Sequence, residues 1–165
     1  MSVSVRPFRP GDAPRLAEIV QRCLREVNSR DYSADIIDRL CAHYTAEKLI
    51  ELSGSRLIYV AEDDETKGDE AKGDDILGTV SRDGNKVYTM FVDPDAAGLG
   101  VGRHLMRHIE VLAVRDGYDH METGASITAH RFYLKLGYTD VGESETEFGL
   151  NYILRKPLPG DVVTS

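Results

Sequence analysis

Three glycines at alternate positions, Gly98-Leu99-Gly100-Val101-Gly102, follow an apolar run that ends at Val92. They open a segment in which Val101, Leu105, Ile109 and Leu112 recur at helical spacing. A strand, a glycine loop and a helix start in that order make an anion site. Glycine lets the backbone approach closely, and a helix N-terminus offers unpaired N–H groups with a partial positive charge. The ligand this implies carries a phosphate or pyrophosphate. Arg103, His104 and Arg107 fall in the first turns of the helix, where the macrodipole disfavours each cation by about 0.3–1 kcal/mol. A bound polyanion would offset that cost; solvated surface cations would explain the same residues.

Two familiar phosphate loops fit poorly. A Walker A loop needs a Gly-Lys pair followed by Ser or Thr, which this segment lacks. A dinucleotide fingerprint G-x-G-x-x-G takes Gly98 and Gly100, and Glu122 sits where a ribose-binding acid would be, but its third glycine would be Arg103. The loop also comes too late in the chain for a first βα turn, with too little sequence after it for a second half.

The elements that must position this loop can be read in order. Val3, Val5 and Phe8 form a short alternating strand, and Asp12 is a natural N-cap for a helix over about 13–28 whose stripe is Leu16, Ile19, Val20, Cys23, Leu24 and Val27. Ser33 opens a second helix with Ile36, Ile37, Leu40, Cys41 and Tyr44 on one face, continued by a short segment at 46–53. Strands follow at 56–62, 75–81 and 86–92, joined as an antiparallel meander. After the glycine-loop helix, stopped by Gly117, come a strand at 118–122, a helix capped by Ser126 and stopped by Gly137, and two closing strands. The order βααβββαβαββ describes a single α/β (α+β) domain over 1–165, with a mixed, mostly antiparallel seven-stranded sheet and helices on both faces.

Two segments together resemble the GNAT N-acetyltransferase superfamily, in its small single-domain bacterial form. VYTMFVDPDAAGLGVGRHLMRHIEVLA matches its pyrophosphate motif, V-x-P followed by [RQ]-x-x-G-x-[GA] and an amphipathic helix. Ala129, Phe132, Tyr133, Lys135, Leu136, Gly137 and Tyr138 match its second signature. The resemblance spans roughly residues 3–158. Ala97 replaces the usual Arg or Gln, and Ser126 stands where Asn is common; backbone amides would still carry most of the anion grip.

The resemblance implies acetyl-CoA as acyl donor and transfer to a primary amine of a small molecule or peptide by direct attack. It implies cofactor contacts at Met90, Phe91 and Val92, along the loop from Ala97, Gly98, Leu99, Gly100, Val101 and Gly102 to Arg103, and at Ser126. Backbone N–H groups of the strand at Met90–Val92 would stabilise the oxyanion, and Tyr133 would be the general acid. A phenol with a reference pKa of about 10 holds its proton at neutral pH. Helical spacing alone puts Ala129, Phe132, Tyr133 and Leu136 on one stripe, which makes Tyr133 a core aromatic. A base must take a proton from an alkylammonium of reference pKa about 10.4. Glu122 is the nearest acid on the next strand, and Asp31 and Tyr32 match the segment that lines the amine pocket. A non-catalytic acetyl-CoA sensor stays open as the second reading, and a homodimer is compatible with the family.

Composition narrows the partners. With 165 residues, a net charge of −8 and 41% hydrophobic content, the chain suits one domain and argues against nucleic-acid binding, which is largely cationic neutralisation. Residues 63–75 hold seven acids against two lysines and read as a solvated, mobile loop between strands. No apolar run reaches the roughly 20 residues of a membrane span, and the N-terminus lacks a secretory h-region, so a cytoplasmic location is expected. Cys23 and Cys41 fit apolar stripes as free thiols. His104 and His108 lie one turn apart without a third ligand, so no metal is expected. His130 and Arg131 precede Tyr133 and could meet the adenosine phosphate.

Overall fold

A computed structural model describes residues 2–65 and 75–159. Most of the acidic 63–75 segment lies outside them. The elements are β1 (Val3–Pro7), α1 (Ala13–Glu26), α2 (Ala34–His43), α3 (Ala46–Leu52), β2 (Leu57–Asp63), β3 (Ile76–Asp83), β4 (Lys86–Val92), α4 (Val101–Arg115), β5 (His120–Ala125), α5 (His130–Lys135), β6 (Thr139–Thr146) and β7 (Gly149–Pro157). The segment after the second helix is thus a helix of its own, with the Thr45 hydroxyl accepting the Lys48 N–H at its start. Ser33 caps α2 as its sequence position demands, accepting from the Ile36 N–H at 3.3 Å.

Two caps differ from expectation. Asp12 turns away from α1: its carboxylate accepts the Arg9 N–H at 2.8 Å and both terminal nitrogens of the Arg6 guanidinium at 2.9 Å. The charged partner outcompetes a neutral helix N–H, since a charge-assisted bidentate pair is the stronger bond. Ser126 caps a turn instead of a helix; its hydroxyl accepts the Ala129 N–H at 3.1 Å, and α5 begins only at His130.

The seven strands run β1-β2-β3-β4-β5-β7-β6. Every neighbouring pair is antiparallel except β4 and β5, which pair in parallel. Side-chain alternation sends successive residues of a strand to opposite faces. On β2, Tyr59 and Ala61 join Leu105 and Ile109 of α4, whereas Val60 joins Leu16 and Ile19 of α1. β4 splits likewise, Met90 toward the α4 side and Phe91 toward the α1 side. α4 and α5 therefore cover one face, α1 to α3 the other. Both cysteines are buried free thiols on the α1 side. Among the described residues no helix is long and apolar enough to cross a membrane.

Candidate active site

The parallel contact between β4 and β5 is two residues long, Lys86↔Glu122 and Val87↔Thr123. Beyond it the strands separate. The cause lies on the other side of β4, where the β3 register slips: Val80 faces Met90 but Arg82 faces Val87, leaving one extra residue in β4. A bulge of this kind bends and twists its strand. It is held by Ser81, whose hydroxyl accepts the Thr89 N–H at 3.1 Å and shares a hydrogen bond with the Thr89 hydroxyl. On the β5 side, residues 88–92 of β4 have no strand partner among the described residues.

The separation opens a slot between two cavities. One, of about 700 Å³, lies against the glycine loop and is lined by Ala97, Gly98, Gly100, Val101, Gly102 and Arg103. His104, Arg107 and Lys135 lie around it, with Phe132 on the α5 side. The other, of about 360 Å³, lies between β4, the β5–α5 turn and the α1–α2 connection. Met90, Val92, Ala97 and Ala129 belong to both.

The loop has the backbone that its glycines predict. Gly98 and Gly100 sit at φ +81° and +82°, a left-handed region costly to other residues. The first α4 bond runs from the His104 N–H to the Gly100 carbonyl, so the amides of Val101, Gly102 and Arg103, residues that line the cavity, have no helical acceptor. At Gly102 the need is space: a Cβ there would stand 2.7 Å from Met90 Cε and 2.9 Å from the Phe132 ring. Leu99 is 55% exposed and does not line the cavity.

The strand entering the loop is clamped by a residue that the sequence reading passed over. Asp93 is buried; its carboxylate accepts from Arg15 Nη2 at 2.6 Å, from Arg22 Nη1 at 3.0 Å and from the Asp95 N–H at 2.9 Å. This ties α1 to the loop. Only its place before Pro94 marked Asp93 in the sequence, and there it read as a strand stop.

Tyr133 lines the smaller cavity while belonging to the core cluster, 3% exposed, with the Phe132 and Tyr138 rings edge-on at 5.2 and 5.5 Å. The core reading and the site reading thus describe one residue. Burial pushes its phenol up to about 12, and the hydrogen-bonded Thr123 hydroxyl draws it back only in part. Behind it the Tyr138 hydroxyl donates to Glu110 at 2.7 Å, and Glu110 also takes Lys156 at 3.0 Å, which fixes the end of the second signature.

Ser126, Phe91 and Tyr32 line the smaller cavity. Asp31 does not; its carboxylate accepts the Thr128 hydroxyl at 2.8 Å from behind the wall, and the Tyr32 oxygen accepts the Ile127 N–H at 2.8 Å. These bonds pin the α1–α2 connection to the β5–α5 turn. Glu122 is displaced from the place expected of it. It sits at the closed end of the β4–β5 pair, beside Lys86, lines neither cavity, and accepts from Arg155 Nε at 2.8 Å. The strand runs on to Ala125, three residues past Glu122, where the sequence reading ends it, so Glu122 falls mid-strand and not at its open end. His130 stacks on Tyr152 at 3.9 Å and pairs with Asp140 at 2.7 Å, away from both cavities. Tyr44, Phe148 and Asn151 line the smaller cavity and carried no motif in the sequence.

Comparison with known proteins agrees with this geometry. The Acetyltransferase (GNAT) domain family matches residues 28–153. A GCN5-related N-acetyltransferase from Rhodopseudomonas palustris superposes with a TM-score of 0.83 at 23% identity, over 96% of this chain and 97% of its own. The PaiA N-acetyltransferase of Thermoplasma acidophilum, solved in complex with coenzyme A, gives 0.75 at 19% over 95% and 99%. Apo YjaB from Escherichia coli gives 0.70 at 24% over 97% and 99%. At these identities the structural likeness speaks for the fold, while the family match spans most of the sequence. The chain belongs to the GNAT family and is an acetyltransferase.

Proposed function

We propose that the chain moves acetyl from acetyl-CoA to a primary amine by direct attack, with Tyr133 as general acid. The observation that carries this reading is the slot between β4 and β5, with an amide-lined glycine loop at one mouth and a protonated buried phenol beside the other. The residues fit the donor: left-handed Gly98 and Gly100 aim backbone at an anion, Gly102 leaves room where a side chain would meet Met90 and Phe132, and Arg103, Arg107 and Lys135 supply cationic side chains for phosphates beside the His104 imidazole. Bound there, acetyl-CoA would supply a reactive thioester.

The protein's own part is positioning and proton supply. Backbone N–H groups of Met90 and Val92, which strand alternation turns to the unpaired β5-facing edge, stabilise the oxyanion, an effect of about 2.7–4 kcal/mol per well-placed donor. The Tyr133 phenol, held un-ionised by burial, donates its proton to the departing sulfur. Ser126, on the wall of the smaller cavity beside the shared Ala129, bonds the pantetheine arm.

The test is thiol release from acetyl-CoA with pooled amines, run beside calorimetric CoA binding. For Tyr133→Phe we expect kcat to fall about 10²–10⁴-fold, the range for lost general acid catalysis. CoA affinity should hold, because the ring still fills its place. Unchanged kcat would remove Tyr133 from the chemistry; CoA binding without thiol release from any amine would favour the sensor reading.

A further inference from the structure

The smaller cavity has no charged side chain on its wall among the described residues. Leu24, Val27, Leu40, Tyr44, Phe91 and Phe148 make it apolar and aromatic, and its remaining polar groups, such as Asn28 and Asn151, are neutral. Several charged groups of the surrounding elements are engaged elsewhere, and the others, such as Arg30, Glu145 and Glu147, do not line the cavity. On α1, Arg22 pairs with Glu26, Asp93 and Asp95, and Arg25 pairs with Asp38 of α2. Asp31 holds Thr128 from behind the wall. Arg39 pairs with Asp35 and donates to the Glu147 carbonyl. Arg56 lies 4.2 Å over the ring of Tyr88 without itself lining the cavity. His43 packs against Tyr44 and Phe148, also outside the wall, and burial lowers its pKa, which keeps it neutral. The Cys23 thiol, which does line the cavity, donates to the Val92 carbonyl and is pushed by burial up to about 12.

A charged amine entering this space would be desolvated without a counterion, which is strongly unfavourable, so it would shed its proton first. An alkylamine of reference pKa about 10.4 is unprotonated only to about one part in 2,500 at pH 7. A free amino acid would add a carboxylate with no cation to meet it, and a polyamine would add further charges. The volume of about 360 Å³, part of which the thioester must share, lies near the small end of ligand pockets at roughly 300–1,000 Å³. Resting on the acetyl-transfer reading above, we infer that the acceptor is a compact aromatic amine that enters the cavity unprotonated. Its ring packs among Tyr44, Phe91 and Phe148, and Asn28 and Asn151 serve its neutral polar groups. Transfer then needs no carboxylate base. The nitrogen lone pair forms the N–C bond, the C–S bond breaks, sulfur takes the Tyr133 proton, and the nitrogen gives up one proton that restores the phenol through water.

The experiment compares kcat/KM of the full chain for p-toluidine, benzylamine and spermidine between pH 6 and pH 9 on the scale of ordinary buffers, with CoA binding followed by calorimetry. We expect p-toluidine to exceed benzylamine by about 100-fold at pH 7 with a flat profile, benzylamine to rise about tenfold per pH unit, and spermidine to be the poorest. Asn28→Asp, which keeps shape and adds a carboxylate, should narrow the p-toluidine preference by about tenfold or more; Asn151→Asp should do the same if the first variant folds poorly. Benzylamine or spermidine equal to p-toluidine at pH 7 overturns the inference, as does turnover of none of the three while CoA binds. Loss of CoA binding itself would overturn the donor reading beneath it.

Discussion

The two cavities are built in opposite ways. The larger one takes most of its wall from a single stretch, Ala96 to Arg107, so its chemistry is carried by neighbours in sequence. The smaller one gathers residues from α1, α2, β4, β5, α5, the β6–β7 turn and the connections between them, with Cys23 and Asn151 at its extremes. A contiguous site can be recognised by spacing because local backbone geometry makes it. A dispersed site exists only once the sheet has brought its parts together. The first therefore states a ligand class, and the second states a preference through the absence of charge.

The difference can be broken most sharply at Gly102. Gly102→Val should force the Met90 methyl and Phe132 ring into the larger cavity, at a packing cost of about 1–3 kcal/mol. CoA affinity measured by calorimetry should fall about tenfold or more, while acceptor preference, read as a ratio of rates, stays as it was. A changed ratio would mean that the two cavities are not separable in this way.

A smaller effect concerns pH. Burial raises the Tyr133 pKa above its ordinary value of about 10, so the phenol remains the proton-bearing form through neutral pH and loses it only toward about 12. The sign is such that kcat should not decline on its alkaline side before about pH 10, whatever the acceptor does on the acid side. A clear fall near pH 8 would assign the acid to another group.

The smallest effect should come from Glu122. Glu122→Gln removes a partly exposed pair with Arg155, a type of contact worth about 0–1 kcal/mol, and leaves both cavities untouched. Its kcat/KM should stay within about twofold of wild type. A larger loss would restore Glu122 to the chemistry from a distance.

Much of this was legible in order and little of it in depth. The strand and helix sequence follows from periodicity, and the boundaries at Lys86–Val92 agree to the residue because the run ends at Asp93-Pro94. Tyr133 was legible as two things, a helix-stripe aromatic and a signature tyrosine, and the structure places it both in the core cluster and on the cavity wall. Glu122 lies away from the open end because that depends on where the strand stops, and β5 runs on to Ala125 instead of ending at Glu122. Tyr44 and Phe148 were legible only as apolar residues, since nothing in their own segments says which cavity they meet.

The sequence by itself determined the glycine loop, because left-handed backbone and a helix start need only Gly98, Gly100 and the residues after them. It also determined the order of elements, because hydrophobic period is a local property. Tertiary structure alone decided that β4 parts from β5, since the bulge is a register slip against β3 held by Ser81. It alone decided which side chains wall the smaller cavity, and that none among the described residues is charged, because burial and charge pairing are settled only when distant segments meet.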